Sequence, residues 1–280
     1  MTSFGLSGKD SGVEHRGKPA GVFLDSSIHI TRFESNAFDR KIHEALKEFP
    51  WKGTASYTKV EFGNVILSCA YYYYRKLEEL GDLEKLCDFL YHRLRYNNKY
   101  RQWSYSILRE TFNRDEATER AKLLLSTLMA TGTAYISGYC DEVRDGIRCG
   151  WADQRVGPRI AWQRPNRPRN CRITEFFEEN KPLFSQLRDT IEQMPEQQTR
   201  ELEAFAKLIE QACKDVKVLK SCEKCRELAD AIIAVESEGY KAFFTQNIRE
   251  SDVLCRPLKQ LLLYLQQDSD KPILRTDYRP

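Results

Sequence analysis

The sequence predicts an α/β protein: a parallel sheet flanked by helices, carrying a large, mostly helical insertion. Three observations predict it. The chain opens with a strand–helix–strand–helix order, Gly21–Asp25, 36–49, Ser56–Val60 and a long helix from Glu61 towards Glu79. It closes with a helix over 222–238, an apolar AFFT strand and a last helix over 252–266. Between the two ends, residues 80–136 and 181–214 show helical rather than strand periodicity.

Gly21–Asp25 is a short apolar run after Pro19 and Ala20, the signature of a buried strand. The helix 36–49 places Phe38, Ile42, Ala45, Leu46 and Phe49 on one face, with Ser35 or Asn36 as cap, and Pro50 and Gly53 end it. Ser56–Val60 alternates as a strand does. LEKLCDFLYHRL, SILRETF and ERAKLLLSTLMA read as inserted helices. Residues 137–172 change character, with four glycines and three prolines, and two amphipathic helices follow over 181–194 and 199–214. The tyrosines 71–74 span a helical turn, which suits a helix buried between the sheet and the inserted helices. The expected organisation is a leader over 1–20, a core from 21–79 and 215–280, and an insertion over 80–214 that contains the loop region 137–172.

With 280 residues, 41% apolar and 30% charged, the composition is that of a soluble globular chain, and a net charge of +3 does not itself demand a nucleic-acid partner. No apolar run reaches the length of a membrane span. The first twenty residues are polar and lack a signal-peptide core, so a disordered leader is expected. Nine cysteines scattered over the chain read as reduced thiols of a cytoplasmic protein. The four histidines (15, 29, 43 and 92) lack a triad-like setting, and His29 reads as strand packing.

The chemistry sits in four short segments: VFLDSS with Asp25, TKVEFGN with Glu61, LADAIIAVES with Asp230, and AFFTQN with Asn247, followed by Glu250 and Asp252. Carboxylates just after an apolar strand, or entering a helix, are costly unless a cation or hydrogen bonds offset their charge. Brought together, they suit a divalent metal with oxygen ligands and a phosphodiester substrate. Each acid alone has a plainer reading: Asp25 as a turn or cap residue, Glu61 as a solvated helix-start acid, Asp230 as a first-turn acid.

In combination the segments resemble the PIN-domain ribonucleases. VFLDSSIHI is similar to their opening strand, TKVEFGNVIL to their second motif, and ADAIIAVES to their Asp-bearing helix. EGYKAFFTQNIRESDVL is similar to the closing segment of the toxin–antitoxin members. The resemblance covers about residues 20–75 and 215–265. It implies a PIN-like parallel sheet and a metal-dependent endoribonuclease that leaves a 5′-phosphate and a 3′-hydroxyl. It also implies Asp25, Glu61 and Asp230 as ligands of Mg2+ or Mn2+, and Asn247 or Glu250 in the fourth position. Where the family has Asp-Phe, Glu250-Ser251 stands here, with Asp252 one step further. Ser27 takes the small polar place beside Asp25. The same resemblance implies a protein inhibitor and a homodimer as partners. The alternative is a catalytically weak PIN-like scaffold that binds RNA or a protein. A haloacid-dehalogenase-like phosphatase would need an Asp where Ser27 stands.

Two further features concern partners and metals. Between Arg148 and Arg172 lie seven arginines (148, 155, 159, 164, 167, 169 and 172) with Trp151 and Trp162 among them and Asp153 as the one acid. Arginine forks and aromatic faces suit looped or single-stranded RNA, with Trp162, Arg164, Arg167 and Arg169 at the centre; the plainer reading is a solvated loop. Cys222 and Cys225 form a C-x2-C pair to which Cys140 and Cys149 would add thiolates for zinc, against the plainer reading of one helical face.

Overall fold

The structure is a computed structural model that describes residues 21–34, 36–94, 117–149, 152, 171–197, 199–265 and 272–275. The leader 1–20 and residues 153–170, with Trp162, Arg164, Arg167 and Arg169, lie outside the described residues. A six-stranded sheet forms the centre, in the order β3-β2-β1-β4-β5-β6. Its strands are β1 (Val22–Leu24), β2 (Lys52–Ala55), β3 (Glu142–Arg144), β4 (Ala242–Phe244), β5 (Leu261–Leu265) and β6 (Pro272–Arg275). The first five are parallel, and β6 pairs antiparallel with β5 at the edge. The chain runs from β1 outward through β2 and β3, then returns to the other side of β1 for β4. The β1/β4 pair is therefore the point at which the order reverses, and a parallel sheet opens a crevice at the carboxyl ends of such strands.

The period-2 alternation of the strands sorts their side chains onto two cores. Val22, Leu24, Ala242, Phe244, Leu263 and Leu265 face a core completed by Ile28 of α1 (Ser26–Glu34) and Ile42, Ala45 and Leu46 of α2 (Asn36–Leu46). Phe23, Phe243 and Leu262 face a larger core filled from α7 (Ile173–Glu179), α8 (Lys181–Glu192), α9 (Arg200–Lys214), α11 (Ala229–Glu236) and α12 (Ile248–Cys255). Burial on both faces explains why VFL and AFF read as unbroken apolar runs.

A third core lies among helices. Beyond β2 the chain turns into α3 (Ser56–Phe62) and runs through a π turn, Gly63–Leu67, into α4 (Ser68–Leu80). Phe62, Ile66, Leu67, Ala70, Tyr73 and Leu77 pack there against α5 (Leu83–Leu94) and α6 (Ala117–Ser137). Gly81, with φ of 71°, ends α4 in the left-handed conformation that glycine adopts without strain. Of the tyrosines 71–74 only Tyr73 is buried, and its side of α4 turns to α5 and α6, so this helix is not sandwiched on the sheet as expected.

Several expectations are corrected. Ser56–Val60 is helix, not strand; the strand is the preceding Lys52–Ala55, whose small residues carry no apolar alternation. The expected helix 252–266 is α12 followed by strand β5, because Leu261–Leu265 is buried between β4 and β6. Helix α1 directly follows β1 where no helix was expected. Strand β3 lies inside the stretch expected to be insertion, so Glu142–Arg144 belongs to the central sheet. The helix 222–238 is two pieces, α10 (Cys222–Glu227) and α11.

Tyr240 locks the β2–β3 side of the sheet. Its ring lies edge-on to Phe23 with centroids 5.1 Å apart, and its hydroxyl donates to Glu142 Oε2. A Cβ on Gly53 would meet the Tyr240 hydroxyl oxygen at 2.1 Å and ring carbons at 2.3 and 2.8 Å. Gly53→Ala is therefore expected to lower stability by about 1–3 kcal/mol, read as a fall in the urea midpoint at unchanged slope. An unchanged midpoint would show that the Tyr240 ring moves aside at no cost.

Candidate functional site

Asp25 is the first residue after β1, and its N–H donates to Phe244 O of β4 at 3.0 Å. Its side chain is 6% exposed. Oδ2 accepts from Ser27 Oγ at 2.6 Å and from Thr245 Oγ1 at 2.8 Å, while Ser26 Oγ lies 3.4 Å from Oδ1. The two donors are themselves held in place. Gln246 N–H donates to Ser27 Oγ and Asn247 N–H to Thr245 Oγ1, both at 2.9 Å. A carboxylate so gripped on one oxygen is held in one orientation, with the Ser26 hydroxyl beside the other oxygen.

Glu61 arrives from the β2 side. The Thr54 hydroxyl donates to Leu24 O at 2.8 Å, tying β2 to the end of β1, and α3 begins two residues later. Helices α1 and α11 both pack on α3, so Glu61 stands between the helix that follows Asp25 and the helix that carries Asp230. Its Oε2 is buried with no hydrogen-bond partner. Burial first, then the negative charges of Asp230 and Asp25, hold its pKa well above the usual carboxylate range, against a hydrogen bond from Ser26 that lowers it. Three carboxyl groups from separate parts of the chain thus share one electrostatic site. Such a like-charge cluster is relieved by a proton or by a cation.

Asp230 lies in the first turn of α11 and is partly buried, and Asn247 Nδ2 reaches its Oδ2 at 3.5 Å. Of the residues considered for the fourth position, Asn247 touches the cluster directly. Glu250 stands in the first turn of α12, partly exposed. Asp252 is buried and ion-paired with Arg256 at 2.9 Å, so its charge already has a protein partner. The structure therefore brings Asp25, Glu61, Asp230 and Asn247 together and gives Asp252 a separate role. Sequence reasoning missed Thr245 and Ser26. Thr245 was visible as the first residue of Thr-x-Asn, a spacing that lets one hydroxyl serve both Asp25 and the Asn247 backbone.

The donor set suits a hard divalent cation: carboxylate and amide oxygens, one of them an orphaned buried oxygen flanked by two like charges. Among the described residues, no group of three or more His, Cys, Asp and Glu side chains is placed to hold a metal ion. His29 lies on the other face of β1, its ring against Tyr139 and Cys140; burial first, then the charge of Arg32, lowers its pKa to about 3. The base of the arginine-rich segment is near. Arg172 N–H donates to Ile147 O at 2.8 Å, and Tyr57, one turn before Glu61, lies beside Cys225 and Cys149. Among the described residues, no helix is long and apolar enough to cross a membrane. Comparison with known proteins yields no match: no family model fits the chain, and neither a curated protein nor a solved structure resembles it significantly.

Proposed function

We propose that the chain is a divalent-metal-dependent endoribonuclease with a PIN-like core. The observation that carries the reading is Glu61, whose buried, unpartnered Oε2 sits between Asp25 and Asp230 at the point where the strand order reverses. A proton-hungry carboxyl flanked by two acids in a sheet crevice is a functional-site signature, because a structural role would have been served more cheaply by an uncharged residue.

Asp25, Asp230 and Glu61 would hold Mg2+ or Mn2+, with the Asn247 amide oxygen at the edge of the site. Bound there, the ion would neutralise charge on the phosphodiester and lower the pKa of a water. The chain's own residues do the rest. Thr245 and Ser27 fix Asp25 in one orientation, and Asn247 orients Asp230. Glu61, ionised once a cation takes the place of its proton, would act as a ligand or orient the attacking water. The water oxygen would add to phosphorus as the P–O3′ bond breaks, the proton released by the water passing through solvent to the departing 3′-oxygen, so that a 5′-phosphate and a 3′-hydroxyl result. In this reading Arg164, Arg167 and Arg169, which lie outside the described residues, are the RNA contacts.

The test is cleavage of a labelled structured RNA by the purified chain with Mg2+ or Mn2+ and with EDTA, alongside Asp230→Asn. Cleavage that needs the metal, and falls at least about 100-fold in the variant, supports the nuclease. Metal-independent cleavage, or equal rates in both proteins, overturns it. RNA binding without cleavage selects the catalytically weak scaffold, which the pairing of Asp252 with Arg256 favours.

A further inference from the structure

Helix α6 has two unlike sides. The inner one closes the third core with Ala121, Leu125, Met129 and Ile136, and a Cβ on Gly132 there would meet Leu67 Cδ2 at 2.5 Å. The outer one is apolar as well. Leu123, Leu124 and Tyr135 are 66%, 37% and 36% exposed, and Thr127, Thr131 and Ala134 are exposed between them. From Leu123 to Cys140 the sequence has no charged residue. Single exposed apolar side chains are ordinary on a protein surface, whereas a contiguous uncharged face marks an interaction surface. The Thr131 hydroxyl is already satisfied within the helix, donating to Thr127 O at 2.8 Å. Leu124, Thr127, Thr131, Ala134 and Gly138 are spaced by three and four in alternation, the period that keeps one seam of a helix towards a partner helix. Lysines and arginines, which hold an amphipathic helix on an anionic membrane surface, are missing from the seam, and no described helix is long and apolar enough to cross a membrane.

We propose that the outer side of α6 is the contact between two copies of the chain, with the two α6 helices antiparallel across a two-fold axis at the level of Met129. In that arrangement the face is complementary to itself, as a two-fold contact requires. Leu124 meets Ala134 of the second copy and Thr127 meets Thr131, so the bulky N-terminal half of the seam fills its small C-terminal half. Leu123 packs against Tyr135 at the rim. Tyr135 is already held in place: its ring stacks on Phe62 with centroids 6.5 Å apart, and the Arg32 guanidinium carbon lies 4.7 Å from its centroid. A rigid, half-exposed aromatic of this kind is a good anchor for an interface. The ends match in charge as well. Arg120, exposed at the N-terminal end, comes to the C-terminal end of the other α6, where the last carbonyls and the exposed Asp141 favour a cation. A parallel pair would set leucine on leucine at one end, leave alanine facing alanine at the other, and bring Arg120 beside Arg120. The contact uses none of the residues of the carboxylate cluster, so it is independent of the nuclease reading.

The experiment is sedimentation equilibrium of the full chain from about 1 to about 100 µM, where a dimer appears as a concentration-dependent mass. The wild type is expected to show a monomer–dimer mixture. Thr127→Glu and Thr131→Lys, each placing a charge in the middle of the apolar contact, are each expected to weaken the dimer at least about 10-fold. The double variant Thr127→Glu/Thr131→Lys is expected to return to within about 3-fold of the wild type, because each glutamate then faces a lysine of the other copy. A parallel pair would instead oppose like charges. Both positions are exposed, and melting curves taken alongside show that each variant is folded. A wild type monomeric over the whole range, a dimer untouched by both single variants, or a double variant as weak as the single ones overturns the assignment. In a monomeric wild type, slow alkylation of Thr127→Cys would give the face to residues 95–116, which lie outside the described residues, and binding to anionic lipid vesicles would give it to a membrane; either result overturns the dimer.

Discussion

Asp25→Asn is expected to make the protein more stable and catalytically inert at once. The asparagine can turn its Oδ1 to the place of Asp25 Oδ2 and keep the hydroxyls of Ser27 and Thr245 as donors, so the grip from β4 survives. What disappears is one of the two negative charges that bear on Glu61. Relief of like-charge repulsion in a partly buried site is worth about 1 kcal/mol, which raises the melting temperature in EDTA by a few degrees. Cleavage of RNA falls at least about 100-fold, equivalent to about 2.7 kcal/mol of transition-state stabilisation. The stabilising effect of added Mn2+ shrinks as well, because the variant offers the ion one ligand fewer. Paired melting curves and rate measurements separate the cases. A lower melting temperature together with lost activity would mark Asp25 as a structural cap, and a higher one with activity intact would end the nuclease mechanism.

That opposition between stability and use explains what could be read of the site before the fold was known. Asp25, Glu61 and Asp230 were legible because each stands where a lone acid is costly: after a buried strand, or at the entry to an apolar helix. Their convergence was not legible, since it depends on β4 returning to the side of β1 away from β2. Nor was the fourth position, where Asn247, Glu250 and Asp252 were equivalent as letters. What separates them in the structure is the ion pair of Asp252 with Arg256, a helical i,i+4 partner, and the 3.5 Å approach of Asn247 to Asp230.

The fold shows the same division. Strands β1 and β4 were readable because three consecutive apolar residues buried on both faces carry their own signal. Lys52–Ala55 was not, because Gly53 is small to admit the Tyr240 ring, a demand made by a residue nearly two hundred positions away. Leu261–Leu265 misled for the opposite reason. A leucine run has a good intrinsic preference for helix, and only its place between two strands makes it extended.

The stability of the chain is expected to fall by about 2 kcal/mol as pH rises from 6.5 to 8, with Glu236 as a principal cause. Glu236 closes α11 and is 4% exposed; its Oε1 accepts from Gly146 N at 2.7 Å, while its Oε2 is buried without a partner. Burial, and secondarily the charge of Asp145, push its pKa up to about 8, against the lowering effects of the Gly146 and Ile147 N–H groups and Arg144. Between its unfolded value near 4.5 and about 8, the folded chain keeps a proton that the unfolded chain has released. The unfolded state then binds fewer protons, so stability drops by about 1.4 kcal/mol per pH unit inside that window and levels off above it. His29 acts in the other sense: with a folded pKa of about 3 against 6.5, it makes stability rise with pH up to 6.5 and contributes no slope beyond. The two slopes oppose each other from 4.5 to 6.5, and from 6.5 to 8 the Glu236 slope stands without the opposing slope of His29. Glu236→Gln keeps an acceptor for Gly146 N–H and removes the ionisation. Urea midpoints at pH 6.5 and 8.5 should therefore diverge for the wild type and draw together in the variant, which becomes the more stable protein at the higher pH. A wild-type slope reproduced in Glu236→Gln would transfer the effect to Glu61, whose raised proton affinity has the same sign, and adding Mn2+ would then abolish the slope by taking the proton's place.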